Sequence, residues 1–331
     1  MIKYILKRLL AIIPVVLGVL FIVFSIMRMA PGDPAMASLG NRYTEEQYQA
    51  KREELGLDRP FLVQFADYVV GVVTEFDLGT SYKSSRSVNT EILERLPVTL
   101  RLGLTGICIT VILGIPLGIL AAVKQYSIGD YIATVLSLVM ASIPSFWLGL
   151  MLIIVFALKL DWLPASMPSI AASTLRHWIL PAITIGLPPV ASVLRFTRST
   201  MLDVIRQDYI RTARSKGLSE GKVIVKHALR NALLPIVTFV GIMLGGTVAG
   251  SVVIESIFSI PGIGSLVTTA VSNQDYPVIQ GCVLILSVLI CLINLVVDVI
   301  YGFIDPRIMS MYKSSGRKKK ARKEEGLEVE A

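Results

Sequence analysis

The sequence of 331 residues predicts an all-α integral membrane protein with six transmembrane helices and a small helical external subdomain after the first span. Three observations carry that expectation. Six stretches of 17 to 28 residues contain no Asp, Glu, Lys or Arg. Only 17% of the chain is charged, against about 25% in a soluble domain, while 53% is hydrophobic and the mean hydropathy is +0.68. The formal charge of +8 is concentrated between and after the apolar stretches. Such a composition excludes a disordered chain, which needs low hydrophobicity. A basic bias ordinarily suggests nucleic acid, but long charge-free runs point instead to the lipid bilayer as partner, with no nucleic acid. Cys108, Cys282 and Cys291 all lie in apolar stretches without metal-ligand spacing and read as small core residues.

A helix rising 1.5 Å per residue needs about 20 residues to cross a hydrocarbon core of about 30 Å. The charge-free runs cover residues 9–27, 102–123, 131–158, 178–194, 232–254 and 278–297, each compatible with one crossing. The 28-residue third run implies tilt or extension beyond the bilayer. Lys3, Lys7 and Arg8 before the first run resemble the basic region of a signal peptide. That run, however, exceeds the 7–15 residues usual for such a signal. Met27-Arg-Met-Ala30 also lacks a small-x-small cleavage pattern, so a retained anchor is expected. Six spans place both termini on one side. Segments on that side carry 21 Lys and Arg, whereas the opposite segments carry 11, nine of them in the long first loop. Long loops weigh little in the positive-inside rule, so both termini are expected in the cytoplasm.

The expected organisation is an N-terminal segment and first helix over 1–30, an external helical subdomain over 31–97, five further helices over 98–305 and a charged tail over 306–331. In the external loop, Thr44 and Gln47 have the spacing of a capping box, followed by helix to Leu55 and a C-terminal Gly56. After Arg59-Pro60, residues 61–73 are apolar enough to lie on the membrane or dock on the helices. This loop reads as a lid or partner-contact subdomain, the alternative being an inert elaboration.

Within the spans, the pairs Gly114 and Gly118, Gly241 and Gly245, and Gly246 and Gly250 are four apart, a spacing that lets helices approach closely inside one subunit or between two. Prolines 116, 144, 181, 188, 189 and 235 predict helix breaks. Arg195, Glu255 and Asp298 stand at the ends of apolar runs, where interfacial placement or structural pairing is expected. His177 and His227 are isolated and read as interfacial polar residues. Residues 217–222 lack the glycine spacing and hydroxyl residue of a phosphate-binding loop, so no ATP site, cofactor, metal or catalytic residue is expected in this chain.

The loop between spans four and five, residues 195–231, carries nine Lys and Arg against three acids. Residues 203–216 predict a helix exposing Arg206, Arg211 and Arg214, with Gly217 at its C-terminal end. Ser219 is positioned to cap a second helix through Arg230. A short rigid helix between two spans is a handle through which a partner can move them; alone it is also a candidate for anionic lipid.

Here the chain resembles the permease subunits of ATP-binding-cassette importers of the oligopeptide/dipeptide type. Asp208-Tyr-Ile-Arg-Thr-Ala-Arg-Ser-Lys-Gly217-Leu-Ser is similar to that family's Glu-Ala-Ala-x3-Gly loop, and Asn231-Ala-Leu-Leu-Pro235 to its closing Leu-Pro. Arg211 stands where Glu is usual, Thr212 replaces the first Ala, and Leu234-Pro235 comes late, as in the peptide branch. Further matching motifs are Pro14, Pro31-Gly-Asp-Pro34, Leu55-Gly-Leu-Asp-Arg-Pro60, Asp77-Leu-Gly-Thr-Ser-Tyr82, Phe258-Ser-Ile-Pro-Gly-Ile-Gly264, Asp275-Tyr-Pro277 and Asp305-Pro-Arg307. Phe76 departs from the family's Gly before Asp77. The resemblance covers about residues 1 to 312.

It implies the type I importer permease fold in a bacterial or archaeal plasma membrane. It further implies a second homologous permease, two cytoplasmic subunits that use ATP and magnesium, and an external solute-binding protein. Tyr209, Arg211, Thr212, Ala213, Arg214, Lys216, Gly217 and Leu218 would form the coupling helix seated on an ATPase subunit. Glu255, Asn273, Asp275 and Tyr276 are candidates for contact with the binding protein. Peptide is the expected cargo; nickel, glutathione or another small solute is the alternative. A self-contained secondary transporter would show inverted repeats and charged or broken helices at mid-membrane, and a scaffold would need no coupling loop.

Overall fold

The structure, a computed structural model, describes residues 2–29, 33–40 and 43–304. Pro31 and Gly32, the Asp305-Pro-Arg307 motif and the charged tail lie outside the described residues. Among the described residues the chain is helical throughout, apart from turns and one isolated bridge between Thr80 and Ser87.

Helix α1 (Ile2–Met29) carries the first apolar run. Three short helices follow: α2 (Pro34–Leu39), α3 (Glu45–Glu54) and α4 (Phe61–Thr74). The α3 capping box forms as expected, with Thr44 Oγ1 accepting from the Gln47 N–H and Gln47 Oε1 accepting from the Thr44 N–H. Gly56 follows α3 at φ +61°. One face of α4 docks on α1, where Phe61, Phe65 and Tyr68 meet the rings of Phe21 and Phe24 at centroid distances of 5.3 to 6.2 Å. Leu62, Val63, Val70 and Val73 on its other face stay exposed.

Helix α5 (Val88–Val123) begins in the first loop and runs on through the second apolar stretch. The division expected at residues 97 and 98 therefore falls inside a continuous helix. The third apolar run does not form one long tilted span. It forms α6 (Ile128–Ser142) and α7 (Ser145–Leu152), the latter prolonged by a π-helical turn (Ile153–Lys159), with a bend of 95° between them. Pro144 provides the cause: it lacks an N–H and disfavours helical geometry in the residue before it, and Ile143 is extended at φ −83° and ψ 119°.

Helix α8 (Leu175–Ile205) outruns the fourth apolar stretch at both ends. At its start His177 Nδ1 accepts from the Thr174 N–H at 3.1 Å, which gives that isolated histidine a capping role. A short α9 (Asp208–Ser215) and α10 (Glu220–Lys222) follow. Helix α10 passes through a second π-helical turn (Val223–Leu229) into α11 (Arg230–Ile257). Helices α12 (Ile263–Ser272) and α13 (Tyr276–Ile304) complete the described chain. Among the described residues five helices are long and apolar enough to cross a membrane, or six when the bent α6–α7 pair is counted as one broken span.

The α5–α8 pair forms the centre of the bundle. Gly106 and Gly186 bring the two backbones into contact, leaving no room for a Cβ on either. Thr110 Oγ1 donates to the Gly186 carbonyl at 2.7 Å across the same contact. Gly114 and Gly118 pack on Val193 and Thr197, and Gly241 and Gly245 pack on Val297 and Asn294, so both pairs serve packing within this chain. Gly246 and Gly250 face open space. Arg8 pairs with Asp298 at 2.7 Å and ties α1 to α13, giving Asp298 the structural pairing expected of it.

Candidate functional site

The loop between the fourth and fifth spans, the candidate coupling segment, is built from short helices set between long ones. Helix α8 ends at Ile205, and α9 starts after an extended Gln207 with Asp208 in its first turn. Residues 203–216 are thus not one helix: Asp203 closes the last turn of α8 and α9 begins anew. Ile210 and Ala213 turn inwards onto a cluster with Met201, Val223, Ile224 and Ala228. Burial of Ala213 corrects its expected role, since it anchors α9 and presents nothing outwards. Tyr209, Arg211, Thr212, Arg214, Lys216, Gly217 and Leu218 are exposed.

Gly217 closes α9 at φ +77°, the left-handed geometry expected of it, with its N–H donating to the Arg214 carbonyl at 2.9 Å. No atom lies within 4 Å of where a Cβ would stand. Across this turn the Arg214 guanidinium grips Glu220 through two hydrogen bonds of 2.7 and 3.1 Å. The helix after Ser219 does not end at Arg230. It continues without a break into the fifth span, taking up its extra residue in the π-helical turn.

Asn231, Asp130 and Arg198, none of them among the expected site residues, hold the neighbouring elements together. Asn231 Nδ2 donates to the Tyr209 hydroxyl at 3.0 Å and to the His227 carbonyl at 2.8 Å, linking α9 to the base of α11. The sequence signal for it was its place in the Asn231-to-Pro235 motif. Below, Asp130 at the start of α6 accepts two hydrogen bonds from Arg198 of α8, at 2.6 and 2.7 Å. Helix α9 is thereby tied to α11, and α8, which leads into it, to α6.

At the opposite end, the four residues expected to face a binding protein divide. Asn273 is exposed. Glu255 is completely buried, accepting from the Ser265 N–H at 3.1 Å and the Ser251 hydroxyl at 3.2 Å. Asp275 accepts from the Ser81 hydroxyl at 2.5 Å and the Tyr82 N–H at 3.1 Å, stapling the first loop to the α12–α13 turn. Tyr276 is 6% exposed. Glu255 and Asp275 are thus engaged inside the chain as buried acceptors for the turns around them, while Tyr276 is buried with its hydroxyl unpartnered among the described residues.

Residues 1–103 match the N-terminal model of the binding-protein-dependent transport system membrane components, and residues 114–310 match the binding-protein-dependent transport system inner membrane component itself. The chain belongs to this family. The permease is 41% identical to the dipeptide transport system permease protein DppB of Escherichia coli K12, over 93% of this chain and 99% of that protein. It is 40% identical, with the same coverage, to DppB of Alkalihalophilus pseudofirmus. The glutathione transport system permease protein GsiC of Salmonella choleraesuis is 42% identical, again over 93% and 99%. The inward-facing MetNI methionine transporter has the same fold, with a TM-score of 0.53 at 18% identity, over 65% of this chain and 97% of that one. The permease is thus a multi-pass inner membrane subunit of an importer of the oligopeptide/dipeptide type, working in a complex with other subunits.

Proposed function

We propose that the permease forms half of the translocation pathway of an importer of di- or oligopeptides and converts ATPase closure into alternating access through α9. The observation that carries this reading is the two-sided mount of α9. Its inner face is buried through Ile210 and Ala213, while helices that belong to the fourth and fifth spans hold both its ends. A force applied to its exposed face reaches both spans with little slack. The basic surface faces the cytoplasm by the positive-inside rule, as do both termini.

In this reading the partners are a second homologous permease, two ATPase subunits below and a solute-binding protein outside. The chain itself carries no cofactor, and ATP and magnesium are used by the ATPase subunits. ATP must bind the closed ATPase pair preferentially, because a ligand shifts an equilibrium only by its differential affinity. Peptide cargo is supported by the relatives, whose names specify dipeptide and glutathione, itself a small peptide.

The test is bulk at Gly217. Because the Cβ position is open, Gly217→Ala meets only the left-handed backbone penalty of about 1 kcal/mol and should insert and transport normally. Gly217→Trp should insert equally well yet hydrolyse ATP without peptide uptake. Normal ATP-driven uptake by the Trp variant would remove α9 from the mechanism.

A further inference from the structure

At the end bearing α2 to α4, a cavity of about 460 Å³ opens between α1, α4 and the start of α13. Its chemistry is unbalanced. Arg28 Nη2, the Tyr68 hydroxyl and the Tyr276 hydroxyl all line it, are buried, and have no hydrogen-bond partner among the described residues. Tyr276 is only 6% exposed, so its hydroxyl is committed to the cavity. Polar groups withdrawn from water without partners are costly. All three can donate, and one is a cation.

The cavity also has carboxylates in its wall, two of them paired with cations and one bonded to the backbone. Asp67 pairs with Arg59 at 2.9 Å, Glu54 with Lys51 at 2.7 Å, and Asp77 accepts from the Gly79 N–H at 2.8 Å. Arg28 is the lining cation without a carboxylate partner among the described residues, and the three unpartnered groups together call for a ligand rich in acceptor oxygens.

Its position selects among such ligands. Arg28 lies in the last turn of the first span, at the edge of the apolar layer. Phe24 and Met27 from the preceding turn form an apolar floor, while Ile22 and Ile26 of the same helix are exposed for lipid. A site that joins an oxyanion hole of donors to a lipid-facing helix fits an amphiphile. We propose that this cavity binds the phosphate of a phospholipid headgroup, with Arg28 as its charge partner and the two tyrosine hydroxyls as further donors. Arginine's forked guanidinium suits phosphate. The proposal rests on membrane placement and is independent of the coupling role of α9.

The importer, purified through a tag on this chain and exchanged extensively in detergent, is assayed for retained phospholipid by mass spectrometry of extracted lipid. Its melting midpoint is then measured with short-chain phosphatidylglycerol, inorganic phosphate or a dipeptide added separately. Expected is a phospholipid retained by the wild type, reduced several-fold in Arg28→Gln and in Tyr276→Phe, and largely kept in Arg28→Lys. The short-chain lipid alone should raise the wild-type midpoint, and that rise should vanish in Arg28→Gln. Should Arg28→Gln fail to fold, Tyr276→Phe, which removes a single oxygen, carries the comparison. Equal retention in all variants overturns the proposal. So does an equal rise with inorganic phosphate, which marks a free-anion site, or a rise with dipeptide alone, which marks a substrate subsite.

Discussion

Removing the carboxyl group of Glu255 should unfasten the turn between α11 and α12. In Glu255→Ala, the Ser265 N–H loses its acceptor inside the protein, a loss of about 1–3 kcal/mol. Ser251 is less affected, because its hydroxyl also donates to the Val248 carbonyl at 2.7 Å. The emptied volume adds a cavity term, bringing the total to about 3–5 kcal/mol. Glu255→Gln keeps one acceptor oxygen and should lose about 1–2 kcal/mol. Gly262→Ala attacks the same contact from the other side, since a Cβ there would fall on the Glu255 carboxyl group. The two changes should therefore not add: the double variant should be little less stable than the worse single one. Thermal unfolding of the importer in nanodiscs reads this directly, with a fall of about 5–10 °C for Glu255→Ala. An unchanged midpoint, together with weakened binding-protein affinity, would refute the structural role and restore Glu255 as a surface contact.

Two further outcomes follow from pairs elsewhere. Arg198→Gln leaves Asp130, whose side chain is 4% exposed, without its bidentate partner; about 3–5 kcal/mol should be lost, seen as a lower melting midpoint that Asp130→Asn in the same chain partly restores. In the external subdomain, Asp33 caps α2 by accepting from the Ala35 N–H at 2.8 Å and accepts from the Tyr48 hydroxyl at 2.6 Å. Burial raises its pKa, but those bonds and the nearby Arg52 outweigh it and hold the carboxyl group below its usual range. A depressed folded pKa means that the stabilisation is present above about pH 4 and is lost as pH falls through the folded value. The hydrogen-exchange protection factors of α2 and α3, referred to intrinsic rates at each pH, should fall on acidification, and Asp33→Asn should remove that dependence.

The parts legible in the sequence were those set by near neighbours. The Thr44 and Gln47 capping box and the left-handed Gly56 and Gly217 depend on residues within a turn or two, and each formed as expected. The helix before Gly217 could be located, but how it joins the spans could not. That α10 would run unbroken into α11 depends on whether a helix continues past a π-helical turn, which the periodicity of charges does not decide. The prolines show the same limit: of the six expected to break helices, Pro144 does so with a 95° bend, while Pro116, Pro181, Pro188, Pro189 and Pro235 stand inside continuous helices.

By itself, the sequence determined that this protein lives in a membrane, where its apolar stretches lie, and which family it belongs to, because apolar length and local motifs are properties of contiguous residues. Tertiary structure alone decided what the charges near the membrane do. Arg8 meets Asp298, Arg198 meets Asp130, and Ser81 meets an Asp275 that lies 194 positions away. Such partners are chosen by how each helix is rotated and which faces touch, and burying a charge or a hydroxyl is tolerable only where that rotation delivers an acceptor or a donor.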